Sequence, residues 1–128
     1  MTVQNIYEIA LSFDATTTAQ DNSLAPHVLN WLNVALLDTL HVENTLRHFE
    51  ERELLTAAPL LQGMDEEVPY HDLLVRNAFP YFIASQILKD DDNNTWASRY
   101  YDMYVNAVAE ASLMLPQDEF DLHTDMWR

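Results

Sequence analysis

Residues 70–112, YHDLLVRNAFPYFIASQILKDDDNNTWASRYYDMYVNAVAEAS, decide the fold class of this chain. In each half of the stretch, apolar and small side chains recur at steps of three and four, which is the spacing of one face of an α-helix. Between the halves, the run DDDNN at 90–94 favours a turn, because Asp and Asn side chains hydrogen-bond to nearby backbone. We therefore predict two antiparallel helices joined by a tight polar turn. The predicted stripes are Leu73, Leu74, Ala78, Tyr81, Phe82, Ser85 and Leu88 in the first helix, and Trp96, Tyr100, Met103, Tyr104, Ala107, Val108 and Ala111 in the second.

Two local signals refine this hairpin. The acidic run 65–67 before Pro69 predicts that the first helix starts there, since carboxylates stabilise the positive end of a helix dipole. An interior proline costs roughly 3 kcal/mol unless the helix bends, so Pro80 predicts a bend near residues 76–79. The second helix is expected to span about Asn94 to Ser112.

The preceding residues supply partners for the hairpin. Thr2 is placed to cap a first helix that ends near Phe13, and the Thr- and Asp-rich residues 14–22 predict a loop. The longest helix is expected to begin at residues 23–26 and to continue towards Leu46 and Phe49. An extended or turn-containing connector that could contribute a short strand should follow over residues 54–64. The prediction is an all-α protein, a bundle of about four helices over residues 1–112.

The C-terminal end of the long second helix is mixed in character and is expected to be half exposed. Glu43 and Arg47 are spaced for an i,i+4 ion pair worth a few tenths of a kcal/mol. Residues 113–128 form a separate acidic tail with apolar anchors at Phe120, Leu122 and Trp127. Two interpretations of the tail stay open: an arm that docks on a partner, and a segment that folds back or frays.

Composition limits the possible function. With 128 residues, one domain with one core is expected. The chain has no cysteine, which removes disulfides and thiolate chemistry, and no window approaches the ~20 apolar residues of a membrane span. The first ten residues also lack the basic and apolar regions of a signal peptide, so we expect a soluble protein without membrane contact.

The charge is strongly one-sided. Twenty-one acidic residues against six basic ones give a formal net charge of -15, and the basic residues are scattered along the sequence. Such a surface repels phosphate backbones and argues against sequence-specific binding of nucleic acid. It favours high solubility, a basic partner, or a surface to which passing DNA does not adhere.

Signals for catalysis, metals and cofactors are weak. The five histidines form no HExxH motif and no i,i+4 pair, and His71 beside Asp72 is better interpreted as a surface pair than as a catalytic dyad. The acidic run 90–94 lacks the glycine and the distal glutamate of a calcium loop, and a chain with one glycine has no phosphate-cradling loop. We therefore expect a protein that is not an enzyme, with no catalytic residue, metal or cofactor.

The order of these features resembles the small helical head–tail connector proteins of tailed bacteriophages, also called adaptor or head-completion proteins. The likeness covers about residues 3–112. It is carried by the short first helix, the apolar run with asparagines LNWLNVAL at 29–36, and the variable connector at 54–64. The proline-led helix from VPYHDLL at 68–74, the acidic turn, and the tyrosine-containing ASRYYDMY at 97–104 complete it. Pro80 and the acidic tail depart from that pattern.

The resemblance implies a structural protein of the virion, made in the host bacterial cytoplasm. It implies a ring of about a dozen copies below the portal, with portal and tail-side virion proteins as partners. Ring assembly joins two different surfaces of neighbouring copies. The candidate subunit or partner contacts are Arg47, His48, Arg52, Leu54, Leu55, Leu60, Leu61, Phe120, Leu122 and Trp127.

An alternative function uses the same acidity in another way. An acidic helical interaction module or inhibitor, including a DNA mimic, would bind a basic protein through a face of carboxylates. A helical-bundle enzyme or metal carrier is the third hypothesis, and the sequence supports it least.

Overall fold

The computed structural model describes residues 1–13 and 24–123, with residues 114–123 as backbone only. The described chain is all-α and contains no β-strand, which confirms the predicted fold class. It forms six helical segments where four were expected, because two predicted helices are each divided. The helices are α1 (Val3–Ser12), α2 (Ala25–Asp38), α3 (Leu40–Phe49), α4 (Asp72–Val75), α5 (Phe79–Asp90) and α6 (Asn94–His123).

Helix α5 lies at the centre of the bundle. It packs against α6, α1 and α2, and apolar residues are buried around most of its circumference. The predicted hairpin is confirmed: α5 ends at Asp90 and α6 begins at Asn94. Asp92 closes the turn with a left-handed backbone (φ 61°), and the Asn93 N–H donates to the Leu88 carbonyl at 2.8 Å. The hairpin therefore forms where side-chain chemistry predicts it.

The chain does bend near residues 76–79, but the predicted interior position of Pro80 and the predicted helix start near Pro69 are both wrong. The one-turn helix α4 ends at Val75, and α5 begins at Phe79 with Pro80 in its first turn. The acidic run 65–67 does not begin a helix, because its backbone hydrogen-bonds to the start of α1 instead. The carbonyl of Glu66 accepts from the Val3 N–H at 3.1 Å, next to an isolated β-bridge between Thr2 and Glu67. The segment thus borders the start of α1.

The start of α1 follows its sequence signals. The Thr2 side chain accepts from the Asn5 N–H, and the Asn5 side chain accepts from the Thr2 N–H, which forms a capping box. The buried face of α1 consists of Val3, Ile6, Tyr7, Ala10 and Leu11. The predicted loop over residues 14–22 lies outside the described residues.

The expectation of one long second helix is wrong, because the chain breaks between α2 and α3. Thr39 is fully buried there with φ -106° and ψ 9°, and its hydroxyl donates to the Ala35 carbonyl at 2.8 Å. A threonine that bonds back to the preceding turn bends a helix. The break lets α3 pack against α6. In the described chain the longest helix is therefore α6 and not the second helix.

Helix α6 differs from expectation at its end and on its face. It passes the expected end at Ser112 and continues through Pro116 to His123. Its most buried line is Ala97, Tyr104 and Ala111, which lie seven residues apart. Trp96 is 46 % exposed and Met103 45 %, so their predicted core positions are wrong. The small side chain of Ala97 permits close contact with α5.

Candidate assembly surfaces

A buried carboxylate joins α3 to the connector, which in the structure is the whole segment between α3 and α4, residues 50–71. Glu43 is fully buried, and its Oε2 accepts from Arg47 Nε at 2.6 Å while its Oε1 accepts from the His71 N–H at 2.7 Å. The predicted spacing of Glu43 and Arg47 does produce an ion pair. Its setting is internal, however, and not the half-exposed one expected.

Arg47 holds both ends of the connector against α3. Its Nη1 donates to the Glu53 carbonyl at 3.1 Å and its Nη2 to the Pro69 carbonyl at 2.9 Å. Only 11 % of its side chain is exposed, so its expected place on an exposed helix end is wrong. The guanidinium is therefore the centre of a hydrogen-bond network inside the protein.

His71 adds a second connection between the residue that caps α4 and the end of α3. Its Nδ1 accepts from the Leu73 N–H at 3.0 Å and caps α4, so the hydrogen-bond network assigns the ring proton to Nε2. Nε2 then donates to Glu50 Oε2 at 2.8 Å. The expected surface pair of His71 is therefore formed with Glu50 and not with Asp72. Although burial acts in the opposite direction, the hydrogen bonds from Arg52 and His71 hold the pKa of Glu50 below its usual value.

Two asparagines attach the middle of the connector to the helices. Asn33 on α2 donates to the Leu61 carbonyl at 3.0 Å and accepts from the Leu61 N–H at 2.8 Å. Asn44 on α3 makes the same pair of bonds with Leu55, at 2.9 and 2.8 Å. Sequence reasoning missed both contacts, although an asparagine inside the apolar run 29–36 is a usable signal.

The connector candidates divide into two groups. Leu61 is buried and Leu55 is partly buried against the core, whereas Leu54 and Leu60 are exposed. Leu60 forms an open apolar groove of about 270 Å³ together with Val34 and Leu37 of α2. All three side chains are more than half exposed. The structure thus brings connector and α2 leucines together on one surface.

Helix α6 has apolar side chains on both flanks of its buried line. Tyr101 and Val105 are exposed on one flank, and Met103 is exposed on the other. Tyr101 lines a groove of about 520 Å³ shared with α5, and Met103 lines a separate groove of about 440 Å³. Tyr101 is absent from the stripe predicted for the second hairpin helix, and its side chain is exposed.

Buried tyrosines fix α6 and the connector to α2. Tyr104 donates to Asp38 Oδ2 at 2.7 Å, and Tyr70 donates to the Leu36 carbonyl at 2.7 Å. Burial, and then the nearby charge of Glu43, raise the pKa of Tyr70 to about 12. Burial, and then the hydrogen bond and charge of Asp38, raise the pKa of Tyr104 strongly. Both hydroxyls are therefore held in the protonated form.

The remaining candidate contacts are two basic residues near the end of α3 and three apolar residues of the C-terminal tail. His48 is exposed on α3, and Arg52 is exposed and pairs with Glu50 at 3.3 Å. Phe120 and Leu122 belong to the backbone-only end of α6, and Trp127 lies outside the described residues.

Metal-binding clusters and membrane-spanning helices are both absent from the described residues. In the described ranges, no group of three or more His, Asp or Glu side chains is placed to hold a metal ion. Among the described helices, none has an apolar stretch of the length that crosses a membrane.

Comparison with known proteins gives no relative on which to rest an assignment. Neither family models, nor curated proteins, nor solved structures match this chain.

Proposed function

We propose that this chain is a non-enzymatic structural protein of the head–tail connector type, which assembles as a ring below the portal of a tailed phage. The proposal includes neighbouring copies of the chain, portal and tail-side virion proteins as its partners, and the virion as its location. It rests on the order of sequence features, and one structural observation supports it.

That observation is the presence of separate exposed apolar surfaces on a highly acidic chain. One surface is the α2–connector groove with Val34, Leu37 and Leu60, and another consists of the flanks of α6. Exposed apolar patches bordered by polar residues mark interaction sites. A ring subunit below a portal needs several such surfaces, because it contacts two neighbours and a different protein above it.

The net charge of -15 is compatible with a DNA channel. Binding of DNA grows with the number of phosphates that a protein neutralises, so an acidic wall does not retain it. A ring that carries its acidic residues only on the outside would remove this argument.

Sequencing the DNA that flanks the coding region tests the proposal. We expect open reading frames for a packaging ATPase with a phosphate-binding loop, a portal-sized protein and an abundant capsid protein just upstream. Unrelated host genes at these positions would contradict the connector. Salt-sensitive binding of the purified chain to a defined cationic host protein would then favour the acidic interaction module or inhibitor.

A further inference from the structure

Three exposed basic side chains form no ion pair within the described residues: Arg99 lies over the Trp96 ring, and Arg76 and Lys89 line grooves beside α6. Arg76 and Lys89 are exposed and form no ion pair within the described residues, although the chain carries 21 acidic residues. Both lie beside α6, and each lines a different groove. Their charges are thus available to another molecule.

The first groove lies between α5 and the first turns of α6. Buried Ser85 and Ala97 line it, and exposed Tyr101 provides an apolar side chain. Lys89 and Asp102 supply one positive and one negative charge. Its small lining side chains permit close approach of a helix.

The second groove runs along the other flank of α6. Exposed Met103 provides its apolar side chain, with Tyr81 beside it. Arg76 and Glu110 again supply one charge of each sign. Each flank therefore carries an exposed apolar residue and one side chain of each charge sign, although the two flanks are built from different residues.

We propose that the two flanks of α6 form a head-to-tail interface between copies of this chain, with Lys89 of one copy facing Glu110 of the next and Asp102 facing Arg76. The assignment rests on the proposed ring and names its interface. Complementary charges at an interface fix the register and suppress wrong partners. Because the two surfaces differ, each added copy presents a new free surface, and such contacts generate rings when the rotation closes. A symmetric dimer that pairs the first flank with itself would leave Arg76 and Met103 of the second flank exposed, whereas the head-to-tail contact covers them.

The absence of native cysteine permits a clean cross-linking test on the full chain. Glu110 lies 16 residues beyond Asn94, which lines the same end of the first groove as Lys89, so roughly 24 Å of helix separates Glu110 from Asn94. A disulfide requires Cα atoms within about 7 Å, so Lys89→Cys and Glu110→Cys cannot pair within one copy. A disulfide between them reports contact between copies.

We expect oxidation of a mixture of the two single-cysteine variants to give a heterodimer, and the variant with both cysteines to give a ladder of oligomers. The matched control combines Lys89→Cys with Glu8→Cys, since Glu8 is exposed on α1. Absence of the 89–110 disulfide, or equal yield with the control pair, would overturn the interface. Rings of the unmodified protein in electron micrographs, without this disulfide, would overturn the interface alone and leave the ring standing. Absence of both rings and disulfide, together with unrelated genes beside the coding region, would overturn the two proposals together.

Discussion

Arg47 Nε lies 2.6 Å from Oε2 of Glu43, a carboxylate without solvent exposure between α3 and the segment before α4. The same guanidinium reaches the Glu53 and Pro69 carbonyls, which are the two ends of the connector. One side chain therefore neutralises a buried charge and closes a loop. Loss of either partner should be costly.

Arg47→Met should lower the free energy of unfolding by about 3–5 kcal/mol, because it leaves an uncompensated buried carboxylate. Urea denaturation followed by circular dichroism measures this loss. Arg52→Met is the matched control, since it removes an exposed arginine from an ion pair with Glu50 and should cost at most about 1 kcal/mol. Equal losses in the two variants would show that Glu43 is not buried as described.

Asn33→Ala should destabilise the protein by about 1–3 kcal/mol, because both backbone groups of Leu61 lose their partner. Asn30→Ala, three residues earlier on the exposed face of the same helix, should change stability by less than about 0.5 kcal/mol. Hydrogen exchange provides a second measurement. The Leu61 amide should exchange faster in the Asn33 variant, and unchanged protection there would argue against the contact.

The adjacent residues Leu60 and Leu61 lie in different environments: Leu60 is on the surface and Leu61 is in the core. Leu61 is 4 % exposed and Leu60 69 %, so Leu61→Ala should cost about 2–5 kcal/mol and Leu60→Ala very little. In a connector, Leu60→Asp should instead reduce association, because it introduces a charge into the apolar groove with Val34 and Leu37. A Leu60→Asp protein that assembles as well as the unmodified one would remove this groove from the contact surfaces.

The raised pKa values of Tyr70 and Tyr104 predict sensitivity to alkali. A pKa raised to about 12 in the folded state means that Tyr70 ionises first in the unfolded chain, so its stabilisation is lost as pH rises from about 10 towards 12. The pKa of Tyr104 is raised in the same direction, so its contribution adds to that of Tyr70. Each tyrosine contributes a slope of about -1.4 kcal/mol per pH unit in this range. Tyr70→Phe should remove one such contribution in urea unfolding between pH 9 and 11.5, and an unchanged slope would contradict the assignment.

Deletion of residues 114–128 should leave the unfolding temperature nearly unchanged, because the last buried side chain described on α6 is Ala111. If the tail is a docking arm with Phe120, Leu122 and Trp127 as anchors, the truncated chain should associate more weakly with its partners. Unaltered assembly would refute the arm, and loss of the folded state would place these residues in the bundle.

The parts of the fold that depend on local chemistry could be predicted from the sequence. The turn at residues 90–94, the bend before Pro80 and the Thr2 cap each depend on side chains that act within a few residues. The break at Thr39 could not be predicted, because it places α3 against a helix that occurs much later in the chain.

At the candidate site, too, only the local contacts of Glu43 could be predicted from the sequence. The i,i+4 spacing predicts the contact with Arg47, but the burial of that contact depends on His71, 28 residues away. Asn33 likewise meets Leu61 across 28 residues. Pairings at such distances have no periodic signal in a single sequence. Among the connector leucines, only the structure separates exposed Leu54 and Leu60 from inward-facing Leu55 and Leu61.

Electron microscopy of the purified full-length chain at its highest soluble concentration, together with native mass spectrometry, tests the connector proposal most directly. We expect closed rings of uniform diameter with about a dozen copies. A chain that remains monomeric over the whole concentration range and also after addition of the portal protein encoded upstream, and in which Lys89→Cys and Glu110→Cys form no disulfide, would contradict the ring.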